Sequence, residues 1–445
     1  MKSINPHTLR LDGIYQQKGE DRWMQRIKLP AGVLSSRQAT LIAELADRYA
    51  GGRLHLTTRG SIELHDLRGH DLAELNRQLV AVGLTGRGAC GGAVRGISCS
   101  TSFGPQFHAC QSLARRLHHH FTGNPWFEGL PKKFKIGIEG SAENRRHLIQ
   151  DVGLVFAGER EAEPLWDVWC GGGLGREPKP ALLLAERVPE RRLIPLIEGV
   201  LVVYRNGGEK GKRLKHLIAE IGEAEFRDRL RAATPEPFDT LIRSGLGELL
   251  SPATDEEPVL VPVFAGELRA DQLRRMARLA DEYAGGCLAV TGNQDIAFAP
   301  TSEKNRAALQ QRLNLAGPGD SLCNPAPTFR ICPGSHECRM GLAPTRDIAA
   351  DILENLPAAA SGLSLAISGC PNSCSQPQLA DIGIVTRSLK RGPDGIREPR
   401  FDLLLGENTG LGHPLAQNIG IEDLQNRIID VLITATNSEK TKAAS

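Results

Sequence analysis

Four of the ten cysteines fall into two tight pairs, Cys332 and Cys338 in FRICPGSHECRMG, and Cys370 and Cys374 in ISGCPNSCSQPQ. Five residues separate the first pair and three the second. Four thiolates are what a cubane iron–sulfur cluster requires. They are also a ligand set for structural zinc, whose paired ligands usually lie two to four residues apart, so the wider gap suits a cluster better. Pro and Gly in both stretches let the backbone wrap a cluster and point amides at its sulfides. Asn372 and Ser373 are placed to add hydrogen bonds, which tune a cluster's potential.

The remaining cysteines, Cys90, Cys99, Cys110, Cys170, Cys287 and Cys323, are scattered and match no cluster spacing. All but Cys287 are read as small buried hydrophobes. The His118–His120 run lies on an expected helix over 109–121 and reads as surface.

The elements that carry these residues repeat. ADRYAGG (46–52) returns as ADEYAGG (280–286), an offset of 234 that also matches Leu34 to Leu268, Gln38 to Gln272, Thr57 to Thr291 and Ile62 to Ile296. Each copy reads as a helix, a Gly-Gly stop and strands. In the first, Ser35 or Ser36 can cap the helix, Leu41, Ile42, Leu45, Ala46 and Tyr49 recur at helical spacing, and Leu54, Leu56, Ile62 and Leu64 alternate as in strands. A second pair follows: FKIGIEG (134–140) resembles LSLAISG (363–369), and QDVGLVF (150–156) resembles ADIGIVT (380–386). The order is A, B, A′, B′. The expected fold is α+β and internally duplicated, with two half-units forming one domain, two further related α+β domains and a pseudo-two-fold axis. Linkers are expected at 251–258 and 317–328, and a frayed tail at 435–445.

The cysteine pattern, in its Gly-Cys-Pro-Asn setting, resembles the siroheme-dependent sulfite and nitrite reductase hemoproteins. The resemblance runs through most of the chain: RIKLPAG (26–32), LTTRGSIELH (56–65), AVRGISC (93–99), LPKKFKIG (130–137) and VWCGGGLG (168–175) look like family segments. It implies ferredoxin-like half-units at 1–80 and 251–318, a siroheme and anion-binding domain at 81–250, and a [4Fe–4S] and siroheme domain at 319–445. It implies that Cys332, Cys338, Cys370 and Cys374 hold a [4Fe–4S] cluster, with Cys374 also the axial ligand of siroheme iron. Carried over by position, Arg26, Arg95, Lys133 and Lys135 face the substrate, while Arg59, Thr57 and Asn372 contact the cofactors. Lone basic residues are usually solvated surface charges. Here a pocket of Arg and Lys would meet both an oxyanion and the carboxylates of siroheme.

The duplication agrees with this division. Arg59 corresponds to Asn293 and Lys135 to Ser364, whereas Cys370 corresponds to Ser141. One half supplies charge and the other supplies cysteines. One departure stands out: Glu63 occupies a position where the family usually has Gln.

The implied reaction is six-electron reduction of sulfite to sulfide. Nitrite reductases of the family tend to have Asn where Lys135 stands, and the extra cation suits a dianion. Nitrite reduction to ammonia is the first alternative, a precorrin-3B synthase-like oxygenase the second, and a non-enzymatic iron–sulfur electron carrier the third. VWCGGGLG lacks dinucleotide spacing, and no flavin or nicotinamide motif occurs, so electrons must come from a separate ferredoxin or flavoprotein. A net charge of +2 gives no nucleic-acid signal. No apolar run approaches a membrane span, and the first residues lack a signal peptide's apolar stretch, so a cytoplasmic protein is expected.

Overall fold

The structure is a computed structural model that describes residues 6, 8–100, 103, 104, 106–234, 258–314, 328–356, 362–392 and 395–443. The linker residues 251–257 and 317–327, and Cys323 with them, lie outside the described residues.

The two A units are built alike. The Ser36–Tyr49 and Ala270–Tyr283 helices stand 234 residues apart at both ends, as do the short strands Val33–Ser35 and Glu267–Arg269. Ser35 provides the cap for the first helix. Its hydroxyl accepts from the Gln38 amide, and the Gln38 side chain accepts from the Ser35 backbone, which satisfies two of the amides a helix start leaves unpaired. The helices pack on each other, burying Ile42, Leu45, Ala46, Leu273, Met276 and Ala280.

The units also exchange strands. Val33–Ser35 pairs with Cys287–Val290 of the second unit, and Glu267–Arg269 pairs with Arg53–Leu56 of the first. The registers mirror one another: Leu34 opposes Leu288, and Leu268 opposes Leu54. Each half therefore completes the other's sheet, and neither has a full core alone. The result is one five-stranded and one four-stranded sheet beneath the helix pair.

The B units are two five-stranded mixed sheets of matching order. In the first, Ser98–Cys99, Ile136–Glu139, Val152–Arg160, Glu163–Cys170 and Leu182–Pro189 lie side by side. In the second the row is Thr328–Ile331, Ser364–Ser368, Ile382–Arg391, Arg397–Leu405 and His413–Ile419. The first two pairings are parallel in both sheets, and the rest are antiparallel. The duplicated α+β, pseudo-two-fold architecture expected from the repeats is thus the fold.

Three local expectations are corrected. The helix placed at 109–121 spans Phe107–Phe121, because Phe107 also packs inward. Of the His118–His120 run only His119 is exposed; His118 and His120 are half-buried, and His120 contacts Glu198 at 2.7 Å. The expected frayed tail continues the Ile421–Ala443 helix, which Leu424, Ile428 and Leu432 anchor to the core at helical spacing. Among the described residues no helix is long and apolar enough to cross a membrane.

Candidate active site

Side-chain alternation sorts the residues of the first half-unit. In Trp23–Ile27, Trp23 and Ile27 enter the core, while Met24 and Arg26 face the other way, and Lys28 follows them. In Arg53–Leu56 and Ile62–Leu67, the leucines and Ile62 enter the core, while His55, Glu63 and His65 face the opposite side. Those faces are not solvated. They form the wall of a cavity of about 790 Å³, closed by loops from both B units. That is at the large end of roughly 300–1,000 Å³ for sites that take small molecules or cofactors.

All eleven candidate residues line this cavity: Arg26, Thr57, Arg59, Arg95, Lys133, Lys135, Cys332, Cys338, Cys370, Asn372 and Cys374. The cysteine loops are held tightly. The Gly369 amide donates to Cys332 Sγ at 3.2 Å, and the Thr345 hydroxyl donates to the Cys332 carbonyl at 2.6 Å. Gly334 has φ +60, and a Cβ there would stand 2.3 Å from the Thr345 hydroxyl oxygen, so only glycine fits. Thr58 Oγ1 donates to the Cys374 carbonyl at 2.8 Å. The Cys374 side chain itself stays open to the cavity. Asn372 hydrogen-bonds to the Cys370 thiol, while the Ser373 hydroxyl donates to the Pro371 carbonyl.

Burial raises the thiols of Cys332 and Cys338 and pushes Cys370 up to about 11, with Cys374 adding to each rise. Such thiols ionise when a cation binds them. Among the described residues no three His, Cys, Asp or Glu groups converge as a single metal ion demands. In a cubane each thiolate ligates a different iron, and four thiols spread around one cavity fit that demand.

The opposite wall is cationic. Lys133 and Lys135 flank Phe134, which is fully buried in the core. Among the described residues neither lysine has a hydrogen-bond or ion-pair partner for its Nζ. Both keep some accessible surface toward the cavity, yet protein encloses them. Burial pushes Lys133 down to about 8, aided by Arg213 and Arg95 and opposed by Cys374. Burial, with Arg59 and Lys133, holds Lys135 well below the lysine range. Arg95 Nη2 donates to the Gly91 carbonyl at 2.9 Å and Nη1 to that of Ala89, leaving Nε without a partner.

Arg59 fixes the geometry between units. It donates to Gln150 Oε1 at 2.9 Å and to the carbonyls of Gly96 and Ile136 at 2.7 and 3.0 Å, and its Nε has no partner. Thr57 holds the turn that presents Arg59, its hydroxyl accepting from the amides of Arg59 and Ser61. Arg26 is tied to Glu63, a contact that the sequence did not disclose.

Sequence reasoning also missed Lys28, Thr58, Gln150, Asp151 and Arg213. Lys28 alternates with Arg26, the one signal that could have found it. Its Nζ donates to the Arg87 carbonyl at 2.9 Å and to Thr122 Oγ1 at 2.8 Å, and burial, with Arg95, pushes it down to about 7. Asp151, fully buried, accepts from the Lys135 amide at 2.7 Å and pairs with Arg213 at 2.6 Å. Arg213 in turn sits against Gly173 of the VWCGGGLG turn, where a Cβ would lie 2.6 Å from its Nη1. That turn is a seat for Arg213. Asp151→Asn leaves a buried guanidinium uncompensated and is expected to cost about 3–5 kcal/mol, measured by chemical denaturation; an unchanged midpoint would refute the pair's role.

The residues present fit both groups that the resemblance implies. Four thiols meet a cluster's needs, and unpaired cations with orphaned Arg59 and Arg95 Nε atoms meet those of a carboxylate-rich macrocycle.

Comparison with known proteins agrees. The model of the nitrite/sulfite reductase ferredoxin-like half domain matches residues 15–82 and 259–316. The model of the nitrite and sulphite reductase 4Fe-4S domain matches residues 90–238. That stretch is the B unit, and the four cysteines lie outside it, in the B unit's twin. A ferredoxin–nitrite reductase of Synechococcus elongatus is 31% identical, the alignment covering 96% of this chain and 89% of that protein. A ferredoxin-dependent sulfite reductase of Mycolicibacterium paratuberculosis is 25% identical, over 89% of this chain and 76% of that one. The solved NirA protein of Mycobacterium tuberculosis shares the fold, with a TM-score of 0.80 at 24% identity, over 96% of this chain and 87% of that one. The chain therefore belongs to the nitrite and sulfite reductase family, as an oxidoreductase that uses siroheme and a [4Fe–4S] cluster.

Proposed function

We propose that this protein reduces sulfite to sulfide, taking six electrons from a separate donor protein, a ferredoxin or a flavoprotein. The observation that carries the reading is the pair Lys133 and Lys135, enclosed in the cavity with no carboxylate partner among the described residues and facing the same space as the four cysteines. Two unpaired ammonium groups suit a dianion better than a monoanion. Arg95 joins them as an oxyanion donor, with Arg26 beside it.

When bound, siroheme with its coupled cluster would relay the donor's electrons and offer an iron site for the anion. The protein's share is to hold the anion and feed it protons as its oxygens leave as water. A lysine near pKa 8, such as Lys133, can release and regain a proton near neutral pH, which suits repeated proton delivery. Arg59, Thr57 and Asn372 are assigned to holding the cofactors, and Cys374 to linking them. The assignment keeps 1–80 and 251–318 as the paired half-units, 81–250 as the siroheme and anion domain, and 319–445 as the cluster domain.

Nitrite is the second reading. The Synechococcus relative, more similar than the sulfite reductase from Mycolicibacterium, is named for it. Visible spectra of anaerobically purified protein, followed by kcat/KM for each anion with a reduced dye as donor, separate the two. Sulfite is expected to shift the heme bands and to give the higher kcat/KM. The reverse ranking would move the assignment to nitrite, and bands that respond to neither anion would overturn both.

A further inference from the structure

Glu63 brings a carboxylate into a cavity wall that also carries Arg26, Lys28, Arg59, Arg95, Lys133 and Lys135. It is 4% exposed. Its Oε1 accepts from Arg26 Nε at 2.7 Å and also from Arg26 Nη2. Arg26 Nη1 donates to the Ala89 carbonyl at 3.3 Å. Each nitrogen of that guanidinium therefore has a partner within the protein.

A second group supports Glu63 from behind. His65 Nε2 stands 3.2 Å from Glu63 Oε2. Gln17 Nε2 lies 3.1 Å from His65 Nδ1, and Gln17 Oε1 accepts from the Asp66 amide at 2.7 Å, which fixes the orientation of the amide. An amide N–H only donates, so Nδ1 accepts, while Nε2 stands beside Glu63 without a hydrogen-bond partner. Arg26 and His65 together hold the Glu63 carboxyl below the usual carboxylate range, against the opposing effect of burial. The carboxylate is thus ionised and held against one cation.

We propose that Glu63 is a positioning residue that fixes Arg26 and cancels its charge, leaving Lys133, Lys135 and Arg95 to set how strongly the pocket favours a dianion over a monoanion. This rests on the anion-reducing function proposed above. The Arg26–Glu63 unit is net neutral, so an incoming anion meets less positive charge than the number of cations suggests. Removing the carboxylate charge adds one positive charge beside the anion. Coulomb energy scales with the charge of the anion, so a dianion gains twice the free energy of a monoanion, and the fold-change in affinity squares.

The test uses the cofactor-loaded enzyme and its Glu63→Gln variant. The Kd of sulfite, at a pH where it is a dianion, and of nitrite are read from shifts in the visible bands, with kcat and KM measured alongside. Glu63→Gln is expected to lower the Kd of nitrite about threefold and of sulfite about tenfold, with KM moving more than kcat. Equal shifts for the two anions, or none, overturn the proposal. If that variant does not load its cofactors, Glu63→Asp serves: it keeps the carboxylate charge, so the ratio of the two Kd values is expected to stay as in the wild type, and a change in that ratio overturns the proposal. Wild-type protein that binds neither anion overturns the functional reading itself, whereas normal wild-type binding with an unchanged Glu63→Gln variant overturns this inference alone.

Discussion

Lys135→Asn is expected to cut kcat/KM for sulfite by about 10²-fold and for nitrite by about tenfold or less, a split that steady-state kinetics with both anions would measure. Lys135 is enclosed, has no carboxylate partner among the described residues, and lines the same cavity as Lys133, just ahead of the strand Ile136–Glu139. An ammonium held this way has its charge unspent until an anion arrives. The asparagine keeps a hydrogen-bond donor but is two bonds shorter, so the substitution draws the donor back and removes the charge. A dianion loses more from that than a monoanion. The backbone is not expected to move, because the Lys135 amide stays anchored on Asp151. Equal losses for both anions would show that this lysine does not set the preference.

Cys374→Ser is expected to abolish turnover and to disturb both the heme bands and the cluster absorption. The Cys374 side chain opens into the cavity while its backbone is pinned by Thr58 and its neighbour Ser375 is held by Ser368, whose hydroxyl accepts from the Ser375 amide at 3.1 Å. The loop should therefore keep its course when the thiol is lost. What changes is the ligand, since a serine hydroxyl is a poor replacement for thiolate on a soft iron site. Visible spectra and iron content per chain measure the outcome. A normal heme spectrum in this variant would refute a bridging role for Cys374, even if the cluster were lost. The corresponding change at Cys338 offers a contrast, because no bridging is assigned there. It is expected to remove the cluster signal first.

The parts legible in the sequence were those whose signals are local or periodic. Cysteine spacing pointed to a cluster because ligand geometry constrains residues close in the chain. The 234-residue offset gave the duplication because each copy must form the same helix, stop and strands to bury its leucines. The segments around Arg26, Arg59, Arg95 and Lys135 matched a family because each is a contiguous stretch.

Tertiary structure decided which cations remain available. Arg26 and Lys135 looked equivalent in the sequence. One is neutralised by Glu63, 37 residues away, and the other has no such partner. Likewise Thr58 reaches the Cys374 carbonyl across 316 residues, and Asp151 meets Arg213 across 62. Alternation of Leu54, Leu56, Ile62 and Leu64 marked strands, but not that their opposite face, with His55, Glu63 and His65, lines a cavity rather than meeting water. By itself the sequence pointed to four candidate cluster cysteines, the duplicated fold and a set of basic residues, because spacing and periodicity record them directly. Only the packing of all four units decided which of those charges line the cavity without a carboxylate partner, since charge pairing depends on distances of a few ångströms that separation along the chain does not encode.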